Sequence, residues 1–277
     1  RSTLLASSAA SDVYKRQVSI RLHFYFEMTF IDVGQGDGIY METPEGTTVL
    51  IDGGSSDNKK LYEYTLEPFL LSKGRKKLDA VIVTHCDNDH ISGIRKIFTE
   101  DNIKVKTLYM PSTTMTDEVY TELIELVAES GTDIKYIYEG YSMTEKDFYM
   151  YCLHPEYEYD TSERNDYSTT LYIRYDNFSA LLTGDISGEI ENNILQKYKD
   201  FPQVTILKAA HHGSRFSNTE DFIDEFAPQN IVISCGKDNS YGHPHRETIE
   251  RFENKGIPWL TTCLLYTSPS PRDPKTS

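Results

Sequence analysis

Between Thr84 and His90 the chain reads Thr-His-Cys-Asp-Asn-Asp-His, which sets His85, Asp87, Asp89 and His90 within six residues of one another. Imidazole nitrogen with carboxylate oxygen is a donor set for zinc, manganese or iron. The run Ala80-Val81-Ile82-Val83 just before it is apolar and mostly β-branched and predicts a buried strand, so the four side chains fall on the loop leaving its C-terminal end. α/β sheets usually place their chemistry there. Alternate residues of an extended segment face the same way, so His85, Asp87 and Asp89 converge while His90 turns in as a helix begins. Cys86, between them, is expected to point away.

Further candidates lie in the C-terminal half. Asp185 stands just beyond the predicted strand Ala180-Leu181-Leu182-Thr183, where a carboxylate either bridges two cations or caps the helix predicted from Ser187 to Tyr198. His211 and His212 follow the predicted strand Val204 to Leu207. Adjacent histidines at a strand end face different ways, so one is expected to bind metal and the other to meet substrate or move a proton; the spacing does not decide which, and His211 is favoured as the ligand. His243, in Asn239-Ser240-Tyr241-Gly242-His243-Pro244, reads either as a hydrogen-bond donor to a phosphate oxygen or as a turn histidine before proline.

The elements that must position these groups follow from periodicity. Leu22 to Ile31 alternates as a strand and runs into Asp32-Val33-Gly34-Gln35-Gly36-Asp37, whose two glycines imply a tight turn with close backbone approach. Gly38 to Glu42 and Thr47 to Ile51 read as strands joined by Pro44-Glu45-Gly46, and Asp52-Gly53-Gly54 ends the second. Leu61 to Leu71 is a helix interrupted near Pro68, Ile91 to Phe98 a short helix and Val119 to Ala128 an amphipathic one. Strands are predicted at Val105 to Met110, Ile134 to Tyr138, Phe148 to Leu153, Ser168 to Tyr175 and Ile231 to Cys235, with a last helix over Thr248 to Lys255 and a strand beginning at Pro258. Ten of the twenty tyrosines lie between Tyr136 and Tyr175, where β-propensity and half-burial account for most of them better than stacking on bases does.

Set beside known families, Thr-His-Cys-Asp-Asn-Asp-His resembles the H-x-H-x-D-H signature of metallo-β-lactamase fold hydrolases, with Asp87 at the position of the second histidine. That exchange keeps a ligand but makes the site harder and more tolerant of manganese. Asp32-Val-Gly-Gln-Gly-Asp37, Ile51-Asp-Gly-Gly54, His211-His-Gly-Ser214 and Tyr241-Gly-His-Pro244 narrow the resemblance to the soluble hydrolase domain of the ComEC family, competence proteins linked to DNA uptake, and its stand-alone relatives. The resemblance implies a four-layer αββα sandwich over 18–262 and two divalent metal ions, zinc or manganese. It implies His85, Asp87, Asp89, His90, Asp185 and one of the His211-His212 pair as ligands, and Asp32, Asp37, Asp52 and Ser214 as supporting groups. A further histidine expected before the bridging Asp has only His154 or the pair Asn165 and Asp166 as candidates.

The activity so implied is hydrolysis by a metal-held hydroxide, with Asp89 orienting it and His212 or His243 stabilising charge on a phosphoryl oxygen. Phosphodiesters, small or in nucleic acid, are the expected substrates. An ester, lactone or β-lactam hydrolase and a non-catalytic partner in a DNA-uptake or defence assembly, with a membrane channel as its companion, are the alternatives.

Composition bounds these readings. The chain has 277 residues, with 38% hydrophobic and 26% charged, as in a globular protein, and no apolar run approaches the roughly 18 residues that cross a bilayer. Residues 1–17 and 263–277 lack strand or helix periodicity, resemble translated sequencing-adapter read-through in metagenomic data, and are read as non-native tails. Without them 23 basic and 41 acidic residues remain, a net charge of −18, which disfavours nonspecific binding of nucleic acid. Lys208, Arg215 and the cluster from Lys73 to Lys77 are the basic groups that could form a rim near the site. Three dispersed cysteines in the core form no disulfide framework and suggest a reducing cytoplasm.

Overall fold

The structure, a computed structural model, describes residues 17–22, 26–100 and 102–263. The expected tails therefore lie outside the described residues, apart from Gln17 and Cys263. Gln17 opens a strand, β1 (Gln17–Leu22), that pairs antiparallel with β2 (Phe26–Ile31), so the single strand expected from Leu22 to Ile31 is replaced by two.

Two seven-stranded sheets carry the chain. In the first, β1, β2, β3 (Ile39–Glu42) and β4 (Thr48–Ile51) run antiparallel, and β5 (Lys77–Ile82), β6 (Lys104–Pro111) and β7 (Asp133–Ile137) continue parallel to β4. The second repeats the plan. β8 (Ser142–Glu145), β9 (Phe148–His154), β10 (Thr170–Tyr175) and β11 (Phe178–Leu182) are antiparallel, followed by parallel β12 (Ile206–Lys208), β13 (Asn230–Ile233) and β14 (Trp259–Thr261). Parallel neighbours need crossovers, and helices supply them. A wide helical turn at Tyr62–Leu66 leading into α1 (Glu67–Ser72), then α2 (Asn88–Glu100) and α3 (Glu118–Glu129), cover the first sheet. α4 (Gly188–Lys197), α5 (Glu220–Phe226) and α6 (Arg246–Asn254) cover the second.

Alternation explains the layering. Phe26, Met28 and Phe30 of β2 face Phe148, Met150, Leu171 and Ile173 of the other sheet, filling the space between the sheets. Ile31, Leu50, Val81 and Leu108 turn the other way onto Leu66, Ile94 and Leu123 of the helices. The result is the αββα sandwich the motifs implied.

Local chemistry sets several boundaries. Pro68 sits in the first turn of α1, just after the wide turn Tyr62–Leu66 gives way to it, so the interruption expected near it is the join of these two helical segments. Asp117 caps α3 by accepting from Tyr120 N at 2.9 Å. α2 begins at Asn88, earlier than the helix expected from Ile91, so Asp89 and His90 sit in its first turn instead of on an extended loop. Ser142–Glu145 and Glu220–Phe226, for which the sequence pattern predicts no element, are a strand and a helix. The tyrosines of β9 and β10 pack as strand residues: Tyr175 enters the inter-sheet core, while Tyr149, Tyr151 and Tyr172 lie on the helix side. Among the described residues no helix is long and apolar enough to cross a membrane.

Candidate metal centre

The parallel strands of both sheets end at one seam. β4 delivers Asp52, β5 delivers His85 and Asp87 before α2 brings in Asp89 and His90, β11 delivers Asp185, and β12 delivers His211 and His212. Two glycines let the first turn of α2 come this close. A Cβ on Gly36 would lie 2.3 Å from Asp89 O, and one on Gly54 would lie 2.5 Å from the backbone of Asp89 and His90. The Asp-Val-Gly-Gln-Gly-Asp and Asp-Gly-Gly segments are therefore a cradle for the metal-loop helix.

Asp185 is the centre of the cluster. Its Oδ2 lies 3.1 Å from His212 Nε2, 3.3 Å from His90 Nε2 and 4.0 Å from His211 Nε2. His212 Nε2 is also 3.3 Å from Asp89 Oδ2, and His85 Nε2 is 3.6 Å from Asp87 Oδ2. His85, His90 and Asp185 bring donor atoms into one group, as do Asp89, His90 and His212. The Nε2 atoms of His85, His90 and His212 are all buried with no hydrogen-bond partner of good geometry. Three buried imidazole nitrogens without partners, aimed at carboxylate oxygens, fit a divalent cation.

The other ring nitrogens are held. His90 Nδ1 donates to Asp52 Oδ2 at 2.8 Å and His212 Nδ1 to the carbonyl of Ser234 at 2.8 Å, an arrangement that leaves both Nε2 lone pairs facing the cluster. Asp52 also accepts from Thr84 N at 2.8 Å and from Thr84 Oγ1 at 2.7 Å, tying the metal loop to β4. Asp37 and Asp185 share the fully buried Lys208, whose ammonium also donates to Gly184 O at 2.9 Å.

The electrostatics agree. Burial pushes His212 and His90 toward the neutral form, but the Asp185 carboxylate outweighs it, lifting His212 to about 10 and His90 well above its ordinary value. Burial likewise opposes ionisation of Asp185, yet His212, His90 and Lys208 hold it well below the usual carboxylate range. Such a cluster calls for positive charge, and a metal ion would displace protons from the ring nitrogens. His243, whose ring centroid is 6.0 Å from that of His212, is pushed down to about 3 by burial and by His212, His211 and His245, so it is neutral at ordinary pH.

Several expectations take a different form. His212, cast in a substrate or proton-transfer role, is the histidine whose Nε2 enters the cluster, whereas His211 is partly exposed at its edge. Both have φ above zero, 50° and 54°, and this tight turn swings the second ring inward. Asp185 does not cap α4, whose N-cap position is Ser187. Asp32 and Ser214, expected as supporting groups, each hold a neighbouring turn: Asp32 accepts from Gly34 N at 3.2 Å and the hydroxyl of Ser214 accepts from Phe216 N at 3.3 Å. His154 Nε2 lies 2.6 Å from Asp166 O, and Asp166 Oδ1 accepts from Ser187 Oγ at 3.0 Å, so both serve structure. The sequence reading missed Arg164, which donates to Asp87 Oδ1 at 2.9 Å and to Asp117 Oδ2 at 2.6 Å. Its one visible signal was a cation directly before Asn165-Asp166.

Comparison with known proteins agrees with this fold. Residues 31–123 match the metallo-beta-lactamase superfamily. ComE operon protein 3 of Bacillus subtilis is 34% identical over 249 residues, covering 85% of this chain and 32% of that protein. Recombination protein 2 of Haemophilus influenzae is 25% identical over 231 residues, 82% of this chain and 26% of its own length, and competence protein ComA of Neisseria gonorrhoeae is 25% identical over 239 residues, 86% and 31%. The chain thus spans about a third of these relatives or less. Among solved structures, the metallo-beta-lactamase fold protein YhfI of Bacillus subtilis aligns with a TM-score of 0.52 at 13% identity, covering 82% of this chain and 88% of that one. A putative metal-dependent hydrolase from Parabacteroides distasonis aligns at 0.51 and 13% identity, covering 88% and 97%. By fold, by motif and by these likenesses, the chain is a metallo-β-lactamase-fold relative of the ComEC competence proteins.

Proposed function

We propose that the chain is a metal-dependent hydrolase acting on phosphodiesters. The observation that carries this reading is the convergence of three buried, unpartnered imidazole nitrogens on Asp185 at the ends of two parallel strand sets. Two divalent ions bound there would supply Lewis acidity and an activated water. Ligand roles go to His85, Asp87, Asp89, His90, Asp185 and His212, with Asp52 and Asp37 orienting them. Asp89, the least buried of the second donor group, orients the attacking water. Neutral His243, beside His212 at the mouth, donates a hydrogen bond to the phosphoryl oxygen.

The surface favours a small diester over long duplex DNA. Lys208 is buried beneath the cluster, Lys73 pairs with Glu27, Arg75 with Glu42, and Arg215 with Glu247 at 2.8 Å. The segment from Lys73 to Lys77 enters β5 at its N-terminal end, opposite the site, so these groups form no cationic rim around it. A relative named as a competence protein supports a setting beside DNA uptake, and with it go a membrane channel as partner and the cytoplasm as compartment in this reading. The test is turnover of bis(nitrophenyl) phosphate, a lactone and duplex DNA with Zn2+ or Mn2+ over a range of salt. Cleavage of the small diester with little salt dependence, and weak, steeply salt-sensitive action on duplex, is expected. Lactone cleavage alone overturns the phosphodiester assignment, and tight duplex binding at physiological salt without cleavage of small esters overturns the preference for small substrates.

A further inference from the structure

From the cluster outward the rings continue as a ladder. His212 lies beside His243 with 6.0 Å between centroids and 35° between planes, and His243 lies beside Tyr241 at 5.8 Å and 16°. Nearly parallel rings at that separation form an offset stack. Tyr241 is the outermost step and is 55% exposed, so a ring that starts from the site ends at water. At the foot of this step, His243 Nδ1 has no hydrogen-bond partner among the described residues. A polar atom left so is satisfied at little cost by an incoming group.

The segment between β13 and α6 holds Tyr241 in place. Asn239 clamps it: Oδ1 accepts from Tyr241 N at 3.1 Å and from His243 N at 3.0 Å, while Nδ2 donates to Gly236 O at 2.9 Å. His245 packs edge to face against His243 with centroids 4.8 Å apart. A ring whose backbone is fixed in advance loses little freedom when a planar group stacks on it.

Charge gives the second reason to look for stacking here. The chain is acidic, and Lys208 and Arg215, the basic groups close to the site in sequence, are paired with Asp37 and Glu247. Affinity for an anionic substrate must then come from contacts that need no release of counterions, and an aromatic face under a base is one. In a duplex that base is paired and stacked within the helix, so its face is offered only after it leaves the stack.

We propose that Tyr241 is the specificity-determining residue of the cleft: it stacks on an unpaired nucleobase joined through its sugar to the phosphoryl group under attack, while His243 beneath it faces the phosphoryl oxygen. This rests on the phosphodiester reading above and narrows it to short nucleoside phosphodiesters.

The test compares two diesters on the metal-loaded full chain, thymidylyl-thymidine and its counterpart with abasic sugars on both sides. Wild type is expected to show a KM about tenfold lower for the dinucleotide, the size of one base-aromatic stack. Tyr241→Leu should raise KM for the dinucleotide to that of the abasic diester with little effect on kcat, and Tyr241→Trp should restore the difference. Tyr64→Leu removes a comparably exposed tyrosine, lying against Lys60 on the helix layer, and should change neither KM. Calorimetric binding of thymidine 5′-monophosphate against deoxyribose 5-phosphate reads the same contrast without turnover, and melting temperatures check folding of each variant. An equal loss on both diesters that falls on kcat means Tyr241 only steadies His243 and overturns the proposal. So does a wild type that cleaves both diesters alike, or a Tyr241→Leu protein that keeps the wild-type KM ratio; each leaves the phosphodiester reading standing. A protein that turns over a lactone and neither binds nor cleaves a phosphoester overturns that reading and the stacking site with it.

Discussion

Replacing Asp52 by Asn isolates the link between the fold and the metal ligands. The site follows β4 at φ 54°, a conformation asparagine tolerates well, so the backbone is not strained by the exchange. Asp52 receives Thr84 N at 2.8 Å, Thr84 Oγ1 at 2.7 Å and His90 Nδ1 at 2.8 Å. Asparagine keeps one oxygen, enough for Thr84 N. Its NH2 group then faces the Thr84 hydroxyl and His90 Nδ1, and a ring that must accept at Nδ1 carries its proton on Nε2, the atom aimed at the cluster. Losing an orienting partner of a ligand histidine costs about 10–100-fold in metal affinity, which corresponds to about 1.4–2.7 kcal/mol. A hydrogen bond to a charged group contributes about 1.5–3 kcal/mol, so the metal-free protein should lose stability of the same order. Chelator competition measures the first quantity and urea unfolding in EDTA the second. A metal affinity within threefold of wild type, alongside a clear loss of stability, would refute the orienting role and leave Asp52 as a fold anchor only.

Two further substitutions probe the same centre. Asp185→Asn is expected to remove most of the second ion, read as metal content per chain, because Asp185 Oδ2 faces both histidine groups. Its metal-free stability should fall by less than the about 3–5 kcal/mol of breaking a buried ion pair outright, since Asp37 keeps its hold on Lys208. Asp87→His should keep the fold, raise the preference for Zn2+ over Mn2+ and cost about 1 kcal/mol or less from the partly exposed Arg164 pair. Equal activity ratios on the two metals in both proteins would mean that Asp87 does not touch the ion.

Much of the architecture is legible in the sequence because strand alternation and the Gly-rich turns are local signals. Val81 and Ile82 alternate between the helix side and the inter-sheet core, and Gly36 and Gly54 sit where their spacing implies close approach. What the sequence hides depends on distance in the chain or on a single backbone turn. Lys208 reads as a basic rim residue, yet burial against Asp37, 171 positions away, gives it a charge-balancing place. His211 and His212 are adjacent, and only the positive φ of both decides which ring points inward. Arg164 finds Asp87 and Asp117 across 77 and 47 residues, a pairing no local pattern announces. β8 and α5 are short and polar on one side, so their periodicity spans too few residues to stand out.

The mirrored plan of the two sheets makes the cluster a fastening across a seam. His85, Asp89 and His90 come from the first half of the chain, Asp185 and His212 from the second, and Ser234 Oγ donates across the join to Gly36 O at 2.7 Å. An ion bound there holds both halves at once, so its binding free energy is also docking free energy. By mass action, an ion at a hundred times its dissociation constant adds about 2.7 kcal/mol to the folded state. That increment is felt where the halves meet, which makes the integrity of the sandwich responsive to the metal supply around it.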